Sequence, residues 1–203
     1  MNNDKRSYNN TRRAKEAGNT KNKIIKTVGL LWTKHSLKDI TLEMIAKESG
    51  VTIRTILRKF GSKEMLLEEC VSLDAPDIMH GRETVIVGDV DQTLQTLLSN
   101  YESMGEAAVR TINLEPELDI ARKIGEEGRK KHREWCARMF APYLPKPDTS
   151  HYETDLTAFI ACTEIYLWKL MRKDLKMGEE QTLAVFKKMV EGLISLHTKS
   201  DKK

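Results

Sequence analysis

Strand-forming sequence is almost missing from this 203-residue chain. The only β-branched cluster, Thr84-Val85-Ile86-Val87, is too brief to found a sheet. Cysteines number three, Cys70, Cys136 and Cys162, an odd total at no paired spacing. That argues against a secreted disulfide framework and for a reducing cytosol. No N-terminal stretch has the apolar core of a signal peptide, and the greasiest piece, Leu156 to Met171, is interrupted by Glu164 and Lys169. No run is therefore suited to span a bilayer. A Gly-rich phosphate loop, a nucleophile elbow and the paired histidines of a metalloprotease are all lacking. These absences lead to the expectation of a cytoplasmic, all-α protein that is not an enzyme and needs no cofactor or membrane.

What is present is helix-rich sequence with an uneven charge. The composition, 39% hydrophobic and 32% charged, is that of a globular protein able to bury a core. Residues 1–70 hold 15 Lys and Arg against 8 Asp and Glu, a balance of +7, whereas the remainder holds 19 against 22, a balance of −3. A basic front and a mildly acidic rear confine a nucleic-acid surface to one end.

The run Ile40 to Leu67 concentrates the local signals. Thr41 is placed to cap a short helix whose inward residues are Ile40, Met44, Ile45 and Ala46, with Glu43 in the first turn. Gly50 supplies the left-handed backbone of a tight turn. Thr52 then caps a second helix with Val51, Ile56 and Phe60 inward and a polar, basic face of Arg54, Thr55, Arg58 and Lys59 outward. A short basic helix held at a fixed angle by its predecessor is what major-groove reading requires. Ser62 is placed to cap a helix through Cys70 and Leu73, with Met65, Leu66 and Val71 inward.

This segment resembles the DNA-binding region of the tetracycline-repressor (TetR) family of transcriptional regulators. The matching residues are Thr41, Ile45-Ala46, Gly50-Val51-Thr52, Thr55, Phe60, Ser62-Lys63-Glu64 and Leu66-Leu67. The family often has an aromatic where Leu57 stands and a histidine where Lys59 stands, so an aromatic phosphate contact is lost here while Lys59 keeps a point charge. In the family's register Ile53 and Arg54 reach base edges. An Arg54 fork on guanine is worth roughly 1–3 kcal/mol of discrimination, and Ile53 packs against a thymine methyl or a sugar edge. Thr41, Thr55, Arg58, Lys59 and Lys63 read as phosphate contacts; Thr52 and Leu57 complete the surface.

Residues 1–19 are polar and basic, which fits either a solubilising tail or a flexible arm that orders on phosphates. A helix from about Thr20 to His35, with Ile24, Ile25, Val28, Leu31 and Trp32 on one face, braces the head, giving a DNA-binding domain over residues 20–73. After a connector from Ala75 to Asp89, the spacing predicts helices from Asp91 to Gly105, Ala107 to Asn113, Pro116 to Gly125 or Gly128, Arg129 to Phe140, His151 to about Asp174, and Glu179 to about His197. The chain thus holds about nine helices, with residues 74–203 forming the second domain.

Segments such as Tyr101-Glu102, Gly128-Arg129, Trp135 and Trp168-Lys169-Leu170 resemble one branch of the family's regulatory domain. That resemblance implies an effector pocket, for which Tyr101, Met104, Trp135, Met139, Phe159, Cys162 and Tyr166 are candidates; singly, each reads equally well as core. A small apolar effector is the expected ligand. It also implies a homodimer through Leu167, Leu170, Phe186, Met189, Val190 and Leu193, although pattern alone leaves open that the last two helices close only their own core. His132 and Cys136, four apart, share a helical face, but two ligands do not make a metal site. The expected function is a repressor that occupies palindromic double-stranded operator DNA and is released by the effector. The rivals are a constitutive architectural protein whose rear domain binds another protein, and a helical enzyme retaining the head.

Overall fold

The computed structural model describes residues 3–72 and 81–200, with side chains described over 18–70 and 81–196. Among these residues there are nine α-helices, one 3-10 turn and one π-helical turn, and no strand. The all-helical expectation holds. The chain divides into two compact units, residues 1–77 and 78–203. The expected boundary near Leu73, the start of the connector at Ala75 and the inward placement of Val71 lie outside the described residues.

The first unit contains α1 (Asn3–Lys34), α2 (Leu42–Ser49), α3 (Ile53–Phe60) and α4 (Lys63–Ser72). Helix α1 begins at Asn3, earlier than the Thr20 suggested by the apolar period, the added turns including the good helix formers Arg12, Arg13, Ala14, Lys15, Glu16 and Ala17 without an apolar face. Residue 19 is therefore no boundary in secondary structure. Ile24, Ile25, Val28 and Leu31 are buried, together with Leu37, Ile40, Ile45, Ile56, Phe60, Leu66 and Leu67. Trp32 is only half-buried, at the rim of this core. Met65 is 59% exposed rather than inward; Leu67 fills the place expected of it.

The second unit runs α5 (Val90–Ile112), α6 (Asp119–Met139), the 3-10 turn Ala141–Tyr143, α7 (Tyr152–Cys162), α8 (Ile165–Lys169), the π-helical turn Leu170–Asp174, and α9 (Glu179–Ser200). Four expected helices are here two. Helix α5 passes through Gly105 because that glycine lies beneath the Trp168 ring; a Cβ there would come within 2.5 Å of it. Helix α6 passes through Gly125 and Gly128, the former covered by the Glu115 carboxylate. In both helices the absent side chain serves close packing or is simply tolerated, and does not end the helix. The cap of α5 is Asp89, whose Oδ1 accepts from the Gln92 N–H at 2.9 Å, while Asp91 sits in the first turn and pairs with Lys187.

The expected long helix from His151 to Asp174 is broken at Thr163. The Tyr101 hydroxyl donates to the Thr163 carbonyl at 2.8 Å, taking the place of the Leu167 amide, which bonds to Glu164 O instead. The core joins Leu94, Leu97, Trp135, Met139, Phe140, Phe159, Trp168, Phe186 and Val190, with Phe140 and Phe159 stacked at 4.5 Å.

Candidate functional site

In the head, each cap predicted from sequence is made. Thr41 Oγ1 accepts from the Met44 N–H at 3.3 Å, Thr52 Oγ1 from the Thr55 N–H at 3.1 Å, and Ser62 Oγ from the Met65 N–H at 3.1 Å. Gly50 turns between α2 and α3 at φ 65 and ψ 26, a left-handed geometry in which its N–H and that of Val51 cover the last carbonyls of α2. Buried Ser49 donates back to Ile45 O, which satisfies its hydroxyl under the turn. These bonds fix the angle at which α3 is presented.

The outward face of α3 then follows from its period. Ile56 and Phe60 are buried, with α3 packed against α2 and α4, so Arg54, Leu57 and Arg58 are exposed and Ile53, Thr55 and Lys59 half-exposed. Arg54 and Arg58 make no side-chain bond among the described residues, so their full donor sets are available to an outside acceptor. Thr55 shares a hydroxyl bond with Thr52 at 2.9 Å. Lys63 is more constrained: its Nζ donates to Ile40 O at 2.7 Å, pinning the approach to α2. An ammonium carries three donors, so two of them stay free for a phosphate. The expected contact residues thus gather around one short helix and the two caps beside it. An ion pair between Lys21 and Glu69, with Lys21 Nζ 6.0 Å from the Phe60 ring centroid, ties α1 to α4 beneath them.

A short, capped, basic helix set by a tight turn against a bracing helix defines a helix-turn-helix DNA-binding protein. Residues 31–70 match the family model described as bacterial regulatory proteins, tetR family. Over those residues the head is similar to the DNA-binding region of TetR-family transcriptional regulators. No curated protein and no solved structure matches the chain.

In the rear unit the pocket candidates scatter. Tyr101, Trp135, Met139 and Phe159 lie in the core, Met104 and Cys162 are half-buried, and Tyr166 is 47% exposed. What gathers around Trp135 and Tyr101 is polar. Arg82 is buried, donates from Nε to Asn100 Oδ1 at 2.9 Å, and lays its guanidinium 4.6 Å from the Trp135 ring centroid. Burial lowers its pKa, and no carboxylate among the described residues pairs with it. The loop carrying it is fastened to α6 by Arg138 Nη2 donating to Arg82 O and by the Gly88 N–H donating to Met139 O.

On α6, one turn apart, His132 and Cys136 do share a face, and both meet Thr163: His132 Nε2 lies 3.1 Å and Cys136 Sγ 3.4 Å from its Oγ1. Because the Thr163 hydroxyl donates to Phe159 O at 2.7 Å, His132 carries its proton on Nε2 and presents Nδ1 as a bare acceptor. Burial, and next the Arg82 charge, push the His132 pKa down to about 4, so the ring is neutral at pH 7. Burial pushes the Cys136 thiol up to about 12, far from a reactive thiolate. His132 Nδ1 and Trp135 Nε1 are buried without a hydrogen-bond partner. Each such group costs about 1–3 kcal/mol. Among the described residues no three His, Cys, Asp or Glu side chains form a metal-sized group, and no helix is long and apolar enough to cross a membrane.

Arg82 and Asn100 did not figure among the residues expected from sequence. Arg82 stands in the connector where the helical period lapses, so no face could be assigned to it. The proposed interface residues also divide. Phe186 and Val190 are fully buried in their own protomer, whereas Leu170 is exposed and Leu167, Met189 and Leu193 are half-buried.

Proposed function

We propose that this regulator is a repressor that occupies a palindromic operator as a homodimer and leaves it when a small molecule binds the rear unit. The observation that carries the proposal is the exposed pair Arg54 and Arg58 on α3, which make no side-chain bond among the described residues, beside the capping Thr41 and Thr52. Arg54 is the base-reading residue, with Ile53 and Leu57 packing beside it. Thr41, Thr52, Thr55, Arg58, Lys59 and Lys63 hold phosphates, and the basic stretch over residues 1–19 adds further phosphate contacts.

Dimerisation is assigned to the apolar groups that α8, the π-helical turn and α9 leave on the surface. Tyr166, Leu170 and Leu196 are exposed there, with Leu167, Met189 and Leu193 beside them. Two heads related by a two-fold axis fit half-sites about one helical turn apart. The effector domain is residues 74–203, and the head residues 20–73. A footprint of the purified protein on the DNA upstream of its own gene tests the reading. Paired protected half-sites support it, and protection no better than on random DNA removes it.

A further inference from the structure

Among the described residues, none supplies a counter-ion to one buried cation of the rear unit. Arg82 is 8% exposed, and among the described residues its one side-chain hydrogen bond goes to a neutral amide, Asn100 Oδ1. The face of its guanidinium rests on Trp135. Glu164, whose field reaches Tyr101 and Cys136, makes no ion pair with Arg82. Isolated buried charges are costly and in folded proteins are almost always paired. An unpaired one beside two unpartnered polar atoms is therefore a place built for an outside group.

The two atoms are the Trp135 Nε1–H, a donor, and His132 Nδ1, an acceptor; both side chains are more than nine-tenths buried, and their rings stack at 6.3 Å. The Trp135 indole is thus flanked by the Arg82 guanidinium on one account and the His132 imidazole on the other. Planar two-oxygen acceptors suit a guanidinium fork better than any other small group.

We propose that the effector is a small organic carboxylate whose charged head pairs with Arg82, with the Trp135 indole N–H as a second donor. This rests on the effector reading of the rear unit, and it replaces the small apolar or weakly polar effector expected from sequence. The bare acceptor at His132 further favours acids that also carry a hydroxyl donor.

The test is thermal unfolding and DNA release with octanoate, benzoate and the hydroxybenzoate isomers, each against the amide of the same acid. The acids raise the melting temperature and release DNA, and the amides do neither. Arg82→Gln keeps the fold and binds the acids roughly 10–100-fold more weakly. Asn100→Asp places a carboxylate 2.9 Å from Arg82 Nε; it raises the melting temperature of the protein alone and removes the response to acids. Should Arg82→Gln fail to fold, Asn100→Asp decides. Amides as effective as acids, or acids that bind both variants as tightly as the parent, overturn the carboxylate claim while leaving an effector in place. No response to acid or amide overturns the carboxylate claim and the effector reading together, whereas DNA binding is measured independently of both.

Discussion

Among single residues, Arg54 and Lys63 test the proposed division between reading and holding. Arg54 makes no side-chain bond among the described residues, so Arg54→Ala leaves stability unchanged and costs about 1–3 kcal/mol at one base pair. Binding titrations on operator variants check this; equal loss on operator and random DNA would assign Arg54 to the phosphates. Lys63 is different because its ammonium also holds Ile40 O. Lys63→Ala weakens every sequence alike, lowers the salt slope by about 1, and costs about 1 kcal/mol of stability. A stability equal to wild type in urea unfolding would contradict the structural part of that role.

His132 gives a prediction in pH. Its pKa in the folded chain, about 4, lies below the unfolded value near 6.5. Between those values the unfolded chain takes up a proton that the folded chain refuses. Stability is therefore complete above about pH 6.5 and is lost as pH falls toward 4, on the order of 3 kcal/mol from this group. His132→Gln flattens that dependence. Urea unfolding across the range checks it, and parallel curves for the two proteins would show that the imidazole is not held neutral by the fold.

For whole elements, the glycines of α5 and α6 make opposite predictions from the same substitution. Gly105→Ala drives a methyl into the Trp168 ring and destabilises by about 1–3 kcal/mol. Gly128 has nothing within 4 Å of an added Cβ, so Gly128→Ala stabilises by about 0.5–1 kcal/mol through helix propensity. Thermal unfolding of both decides, and the same sign for both would refute the packing argument. These glycines also show what the sequence could and could not tell. The caps Thr41, Thr52 and Ser62 and the turn at Gly50 were legible because each depends on neighbours within four residues. Gly105 was misread as a stop because its reason, the Trp168 ring, lies 63 positions away in the chain. The break at Thr163 was invisible for the same cause, being set by the Tyr101 hydroxyl. The basic face of α3 could be read directly, while the Arg82 cluster could not, since it assembles from a loop, α5 and α6.

For the molecule as a whole, the proposed dimer would make the affinity of one head count twice. Leu170→Arg combined with Leu196→Arg places charge on the proposed interface without entering the core, since both residues are exposed. The pair yields a monomer by sedimentation and weakens operator binding by roughly tenfold or more through lost bivalency. A dimer that persists would move the interface elsewhere. The most direct measurement of the central claim is a footprint on the upstream DNA at low and at physiological salt. The account predicts two protected half-sites about one helical turn apart, retained at the higher salt on operator and lost on random DNA. Protection that is equal on both DNAs, or absent from both, would contradict it.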